Sequence, residues 1–208
     1  MQTKGVLVVV SGFSGAGKGT VMKALLEKYD NYALSVSATT RSPRPGEENG
    51  REYFFLTESQ FEDMIRNDEL IEYARYVDHY YGTPKKYVEE KMAAGKDVIL
   101  EIEIQGALNI KKKFPDALLV FIVPPTAKDL KKRLIGRGTE SAEVIEKRLR
   151  RAAEESDGMD SYDYIVVNDD VDTCVEDLHS LIRSSHFKES ANTDLVARMK
   201  QELHDMTK

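Results

Sequence analysis

Hydrophobic positions along the chain change period several times, and each change marks an element. Val6-Leu7-Val8-Val9-Val10 is a continuous apolar, mostly β-branched run, the pattern of a strand buried on both faces. After it, Val21, Met22, Leu25, Leu26 and Tyr29 return to one side at helical spacing. Further strands are predicted over residues 97–102, 118–123 and 164–167, each followed by a helical stretch. Thr126 heads one of these helices with Asp129 at the capping-box position. The last begins near Asp172 and carries Val171, Val175, Leu178 and Ile182 as its apolar stripe. Strands alternating with helices predict an α/β fold, a parallel sheet flanked by helices on both faces.

Residues 38–93 break this alternation. They open with a loop rich in Arg, Pro and Gly over residues 41–50, followed by a short strand at 53–56. A helix follows, capped by Thr57 with Gln60 as box partner and with Phe61, Met64 and Ile65 inward. Strand-like segments at 70–77 and at Tyr80-Tyr81 precede a helix near Pro84. An α+β insertion between sheet strands commonly shapes a substrate site. Residues 133–160 are dense in charge and contain Gly136, Gly138 and Gly158, the composition of a charged helical hairpin that could act as a lid. The expected organisation is one domain over 4–186, with its core in 4–37, 94–132 and 161–186, an insertion at 38–93 and a lid at 133–160. Residues 187–208 form a polar tail, helical or frayed.

Composition narrows the class. The chain has 208 residues, 41% hydrophobic and 32% charged, a globular balance. A net charge of -6 excludes a coat for nucleic-acid polymers, which select basic surfaces, while leaving room for local basic clusters that hold small phosphates. The single cysteine, Cys174, has no intramolecular partner, fits a reducing compartment and is expected as a half-buried thiol. The four histidines are scattered, so no transition-metal site is expected. No apolar stretch approaches the ~20 residues a bilayer requires. The expectation is a soluble, cytoplasmic protein with no membrane partner.

The chemistry concentrates in two places. Gly12-Phe13-Ser14-Gly15-Ala16-Gly17-Lys18-Gly19-Thr20 lies between the first predicted strand and the first predicted helix, the context of a phosphate-binding P-loop. Its glycines permit a tight turn whose N–H groups point inward at phosphate oxygens. The helix N-terminus adds positive potential, and Lys18 supplies a mobile cation. Gly19 stands where many P-loops place a metal-binding hydroxyl, so Thr20 and carboxylates elsewhere are the candidate supports for Mg²⁺ held through ATP phosphates and waters.

In the second cluster, Arg41 and Arg44 are three apart in a segment stiffened by Pro43 and Pro45. Two guanidinium forks suit a phosphate dianion, and Tyr53 could add a hydroxyl to it.

The run Thr39-Thr40-Arg41, Arg44, Glu47, Gly50, Tyr53-Phe54-Phe55 resembles the signature of guanylate kinases. Tyr80-Tyr81-Gly82-Thr83, Glu101-Ile102-Glu103-Ile104-Gln105-Gly106, Gly136-Arg137-Gly138-Thr139-Glu140 and Asn168-Asp169-Asp170 extend the resemblance over residues 4–186. It implies Mg²⁺-dependent transfer of a phosphoryl group from ATP to GMP, and to dGMP, within purine nucleotide metabolism. It assigns the GMP phosphate to Arg41, Arg44, Tyr53 and Tyr81, and the guanine to Glu72, Glu103, Ser37 and Thr83. Carboxylates that accept from guanine N1–H and the 2-amino group would be left unpaired by adenine. ATP falls to the P-loop residues, Arg133, Arg137 and Asn168. Lys18, Arg41, Arg137 and Arg148 form the catalytic set, and Glu101 is the candidate outer support for Mg²⁺. Arg150 and Arg151 read as ordinary helix-face charges.

Two rival readings share parts of this pattern. A non-catalytic guanylate-kinase-like module that binds phosphorylated proteins uses the same scaffold but typically degrades the P-loop, which is intact here. A kinase for another nucleoside monophosphate would share the P-loop, with no reason to place the arginines, Glu72 and Tyr81-Gly82-Thr83 at these spacings.

Overall fold

The computed structural model describes residues 4–76, 78–136 and 141–207. A central five-stranded sheet is built from β1 (Leu7–Gly12), β2 (Tyr32–Leu34), β7 (Asp97–Glu101), β8 (Leu118–Val123) and β9 (Tyr164–Val167), in the order β2-β7-β1-β8-β9. Every pairing in it is parallel, with Val10 opposite Glu101 on one side and opposite Val120 on the other. β1 is therefore flanked by strands on both sides and covered on both faces, which is why its sequence is apolar without alternation.

Alternate β1 residues feed two separate cores. Val8 and Val10 pack with Val21, Met22 and Leu25 of α1 (Lys18–Lys28) and with Val175, Leu178 and Ile182 of α7 (Val171–Ser185). Leu7 and Val9 face the other way, toward Val88 of α3 (Lys85–Ala93) and Ala107 and Ile110 of α4 (Ile104–Lys113). The two predicted stripes, on α1 and α7, thus meet over one face of the sheet. Cys174 lies in that core, fully buried rather than half-buried, and burial pushes its thiol up to about 11.

A second, four-stranded sheet has the order β4-β3-β6-β5, from β3 (Ser37–Thr39), β4 (Tyr53–Phe55), β5 (Leu70–Tyr76) and β6 (His79–Pro84). It has its own core, in which Phe61 of α2 (Glu58–Arg66) packs with Ala38, Leu70, Phe54 and the stacked ring of Tyr80. Thr57 caps α2 through the predicted box, accepting from the Gln60 N–H while Gln60 accepts from the Thr57 N–H. The sequence pattern did not resolve β2 or β3. Each is three residues long, too short to display a period, and only Ser35 and Val36 separate them before the chain changes sheets.

The charged segment forms α5 (Ala127–Gly136) and α6 (Ala142–Ser156), which pack through Leu130, Leu134, Ile145, Leu149 and Ala152 against Phe13 of the P-loop. At the start of α5 the Thr126 hydroxyl accepts from the Asp129 N–H, as a cap does, and itself donates to Asp129 Oδ2. Arg137, with Gly138, Thr139 and Glu140, lies outside the described residues, as does Val77 at the end of the predicted 70–77 strand. The C-terminal stretch contains a helix, α8 (Thr193–Met206), with no buried residue. Among the described residues, no helix is long and apolar enough to cross a membrane.

Candidate active site

Two depressions open at the C-terminal ends of β1 and β7, the end of a parallel sheet where crevices form. The larger, about 780 Å³, runs from Ser11, Gly12 and Lys18 to Ser37, Tyr53, Glu72, Tyr81 and Glu103. The smaller, about 210 Å³, is bounded by Phe13, Ser14, Gly15, Gly17, Gly19 and Thr20. Lys18 and Glu101 line both, so the two spaces meet at a cation and a carboxylate.

The P-loop conformation follows from its glycines. Gly15 and Gly17 adopt φ of 95° and 92°, in the left-handed region that other residues enter at a cost. A Cβ on Gly17 would lie 2.4 Å from Asn168 Nδ2, and one on Gly15 would lie 2.9 Å from Leu134 Cδ2. The loop is therefore closed against the chain on its outer side. Asn168 Nδ2 and Arg133 Nη1 donate to Ala16 O at 2.8 and 3.3 Å, and Arg133 Nη2 donates to Asn168 O at 2.7 Å. Asn168 is almost fully buried, and its Oδ1 has no hydrogen-bond partner among the described residues. Lys18 Nζ bends back to donate to Gly12 O at 2.7 Å and Phe13 O at 3.3 Å. Arg148 of α6 bonds to Ser14 Oγ.

Arg41 stands behind the cleft wall. It makes a bidentate pair with Glu47 at 2.9 and 3.0 Å and donates to Ser42 O at 2.7 Å, and Glu47 raises its pKa further. Its guanidinium lies over the rings of Tyr53 and Phe55. Arg44 is exposed, with its backbone N–H donating to Glu47 Oε2 at 2.7 Å. Neither arginine lines the 780 Å³ cleft, whereas Tyr53 and Tyr81, whose rings lie 6.0 Å apart, do. Glu47 is the residue that organises this loop, binding Arg41 and the backbone at Arg44 together.

Glu72 is buried at the cleft wall, where desolvation raises its carboxyl against the opposing effects of Thr83 and Lys113. Thr83, expected beside the base, is fully buried and absent from the cleft lining; its hydroxyl donates to Glu72 Oε1 at 2.9 Å and so orients the carboxylate from behind. The other oxygen of Glu72 faces Gly106, where a Cβ would come within 3.1 Å, so glycine makes the room for it. Glu101 opens on the cleft, yet enough protein surrounds its carboxyl that desolvation raises its pKa, with Lys18 opposing the rise.

One residue departs from its sequence reading altogether. Arg151, taken as a helix-face charge, reaches into the cleft and pairs with Glu103 at 2.9 Å and with Glu155 at 2.9 Å. The spacing held the signal: Arg151 and Glu155 are four apart on α6 and share a face with Arg148. Arg75 also lines the cleft and was not singled out from the sequence.

No group of three or more His, Cys, Asp or Glu side chains among the described residues could hold a metal by itself. The P-loop pocket offers two hydroxyls, Thr20 and the Ser14 hydroxyl that accepts from Arg148, and one carboxylate, Glu101. That hard oxygen set fits Mg²⁺ carried mainly by phosphates and water.

Comparisons with known proteins agree over the whole of this architecture. Residues 4–185 match the family model described as guanylate kinase. A guanylate kinase of Caldanaerobacter subterraneus subsp. tengcongensis is 48% identical over 202 residues, spanning 97% of this chain and 98% of that protein. One of Lactococcus lactis subsp. lactis is 51% identical over 188 residues, spanning 90% of this chain and 92% of the relative. The crystal structure of guanylate kinase from Anaplasma phagocytophilum superposes with a TM-score of 0.72 at 31% identity, covering 90% of this chain and 89% of that one. Similarity at this level, carried from the P-loop strand to the end of α7, means that the chain belongs to the guanylate kinase family.

Proposed function

We propose that this chain transfers the γ-phosphoryl group of ATP to GMP, and to dGMP, giving ADP and the nucleoside diphosphate. The observation that carries the reading is the pair of spaces that meet at Lys18, one walled by the P-loop and one by tyrosines and carboxylates.

ATP phosphates lie in the P-loop, where backbone N–H groups and the N-terminus of α1 offset their charge. Asn168, whose Oδ1 lacks a protein donor, meets the adenine. GMP occupies the larger cleft. Its phosphate is held by Tyr53 and Tyr81, with Arg41 and Arg44 turning to it as it competes with Glu47. Its base donates N1–H and the 2-amino protons to Glu72 and Glu103, and Ser37 stands near O6. Adenine would leave those carboxylates without donors, a mismatch that supports strong selection.

The attacking group is a phosphate oxygen of GMP, already an anion, so no general base is needed. That oxygen forms a bond to the γ-phosphorus as the bond to the ADP oxygen breaks, and Lys18, Arg148 and Arg137 neutralise charge on the moving group. Thr20 and Glu101 are the residues that would support Mg²⁺ carried by the nucleotide, and the cation would supply further charge neutralisation there. A coupled ADP-release assay with Mg·ATP and GMP, AMP, CMP or UMP in turn tests the assignment. Turnover confined to GMP is expected. Equal turnover with another monophosphate would overturn the base site, and none with any, in a folded chain that binds GMP, would favour a binding module.

A further inference from the structure

Helix α6 touches both halves of the site one turn apart. Arg148 bonds Ser14 of the P-loop, and three residues later Arg151 bonds Glu103 at the first turn of α4. The turn that follows the helix is pressed onto the same place: a Cβ on Gly158 would lie 2.9 Å from Ile104 Cγ2. Through Nη2 and Nε, Arg151 holds Glu103 Oε2 and Glu155 Oε1, each at 2.9 Å. One guanidinium therefore bridges two carboxylates.

We propose that Arg151 is a positioning residue for guanine recognition, holding Glu103 as a base acceptor by bridging it to Glu155. The inference rests on the reading of Glu103 as a guanine contact. Stability does not explain the arrangement, because the Arg151 side chain is 45% exposed and that of Glu103 70% exposed, and exposed ion pairs contribute little. Its consequence lies in what the carboxylates do without it. Glu155 is 17% exposed and already raised by burial and by Glu103, with Arg151 opposing. With Arg151 removed, two carboxyl groups face one another, and such a pair shares a proton between them. Glu103 then turns to Glu155 and away from the base. The other charged or titratable groups around the cleft are Glu154 on α6, Glu101 and Lys18 on the P-loop side, Tyr53 on β4, Glu72 and Arg75 on β5, Tyr81 on β6, and the Tyr162 phenol. Arg151 is the cation that bonds both carboxylates and so forms the bridge.

Because the bridge comes from the helix that also contacts the P-loop, base recognition is coupled to the position of α6. The test is steady-state kinetics of Arg151→Met, Glu155→Gln, the double variant and Glu103→Ala, each followed as a function of pH. Thermal melts of each serve as the folding control. Arg151→Met is expected to raise KM for GMP by roughly five- to tenfold at the acid end, the loss of about one charged hydrogen bond in an exposed setting. KM for ATP and kcat should change little, and the acid limb of kcat/KM for GMP should move to higher pH. Glu155→Gln added to Arg151→Met should return that limb toward its original position. An unshifted limb with unchanged KM for GMP would overturn the inference while leaving the function intact, as would a fall in kcat with both KM values changed and no pH effect. Unchanged GMP use in Glu103→Ala would instead overturn the base-site reading, and the inference with it.

Discussion

Replacing Glu72 by Gln separates recognition from stability because the two effects have opposite signs. The side chains are nearly isosteric, and the Thr83 hydroxyl that donates to Oε1 at 2.9 Å can donate equally to an amide oxygen. The amide nitrogen then occupies the position of Oε2, the oxygen facing Gly106, and presents donors where guanine also presents donors. Losing a hydrogen bond to a charged group costs about 1.5–3 kcal/mol, and 1.4 kcal/mol is tenfold, so kcat/KM for GMP should fall roughly 10- to 100-fold. KM for ATP should not move. Stability runs the other way. Burial raises the folded-state pKa of Glu72 above its ordinary 4.5, so its favourable contribution is present at low pH and is lost as pH rises through that raised value. Above that raised value the native chain holds a desolvated charge that Gln removes, so there the variant should melt no lower than the parent. The assay is coupled ADP release against GMP concentration, with melts of both proteins followed from acid to alkaline pH. Unchanged kcat/KM for GMP, or a lowered melting temperature with both substrates affected equally, would refute the reasoning.

Three further outcomes follow from the same geometry. Lys18→Ala should lower kcat by at least about 10²-fold with little change in melting temperature, because the Nζ bonds only carbonyls of its own loop; ADP release and a melt decide this. Gly17→Ala must place a Cβ 2.4 Å from Asn168 Nδ2 at φ 92°, so strain of about 1–2 kcal/mol and a lost Asn168–Ala16 bond of about 1 kcal/mol should together lower the urea midpoint. In the parent chain, lowering pH through the raised pKa of Glu72 should raise KM for GMP while KM for ATP stays flat, read from substrate titrations across the acid range.

Elements that feed the central core were legible because burial on one or both faces writes a period into the sequence. β1, β8, α1 and α7 were readable on that basis, as was the cap of α2 from Thr57 and Gln60. β2 and β3 were not, since three residues carry no period and their place is set by partners far along the chain, β7 for one and β6 for the other. At the site, the P-loop was visible because its backbone conformation demands glycine at fixed positions. Thr83 was recognised as a polar residue near the base, yet only the fold shows that its hydroxyl is directed to Glu72. For Arg151 the spacing to Arg148 and Glu155 on one helix face was readable, yet only the fold shows that Glu103 stands opposite it.

The meeting of the two spaces at Lys18 constrains how transfer between them must work. On the proposed function, two nucleotides brought end to end place phosphates against phosphates, and the repulsion between them falls where the larger cleft joins the P-loop. Among the described residues, Lys18 is the only cation lining both spaces; Arg75 and Arg151 belong to the larger one. Its ammonium is hydrogen-bonded to the carbonyls of Gly12 and Phe13, acceptors that anionic phosphate oxygens outcompete. The charge is thus stored within reach of the junction and needs only side-chain rotation to reach it. The arginines that would complete the neutralisation are engaged elsewhere: Arg41 with Glu47, and Arg148 with Ser14. Each is held by a partner that a phosphate can displace, so filling both spaces is what gathers the cations. That makes turnover depend on joint occupancy rather than on either nucleotide alone.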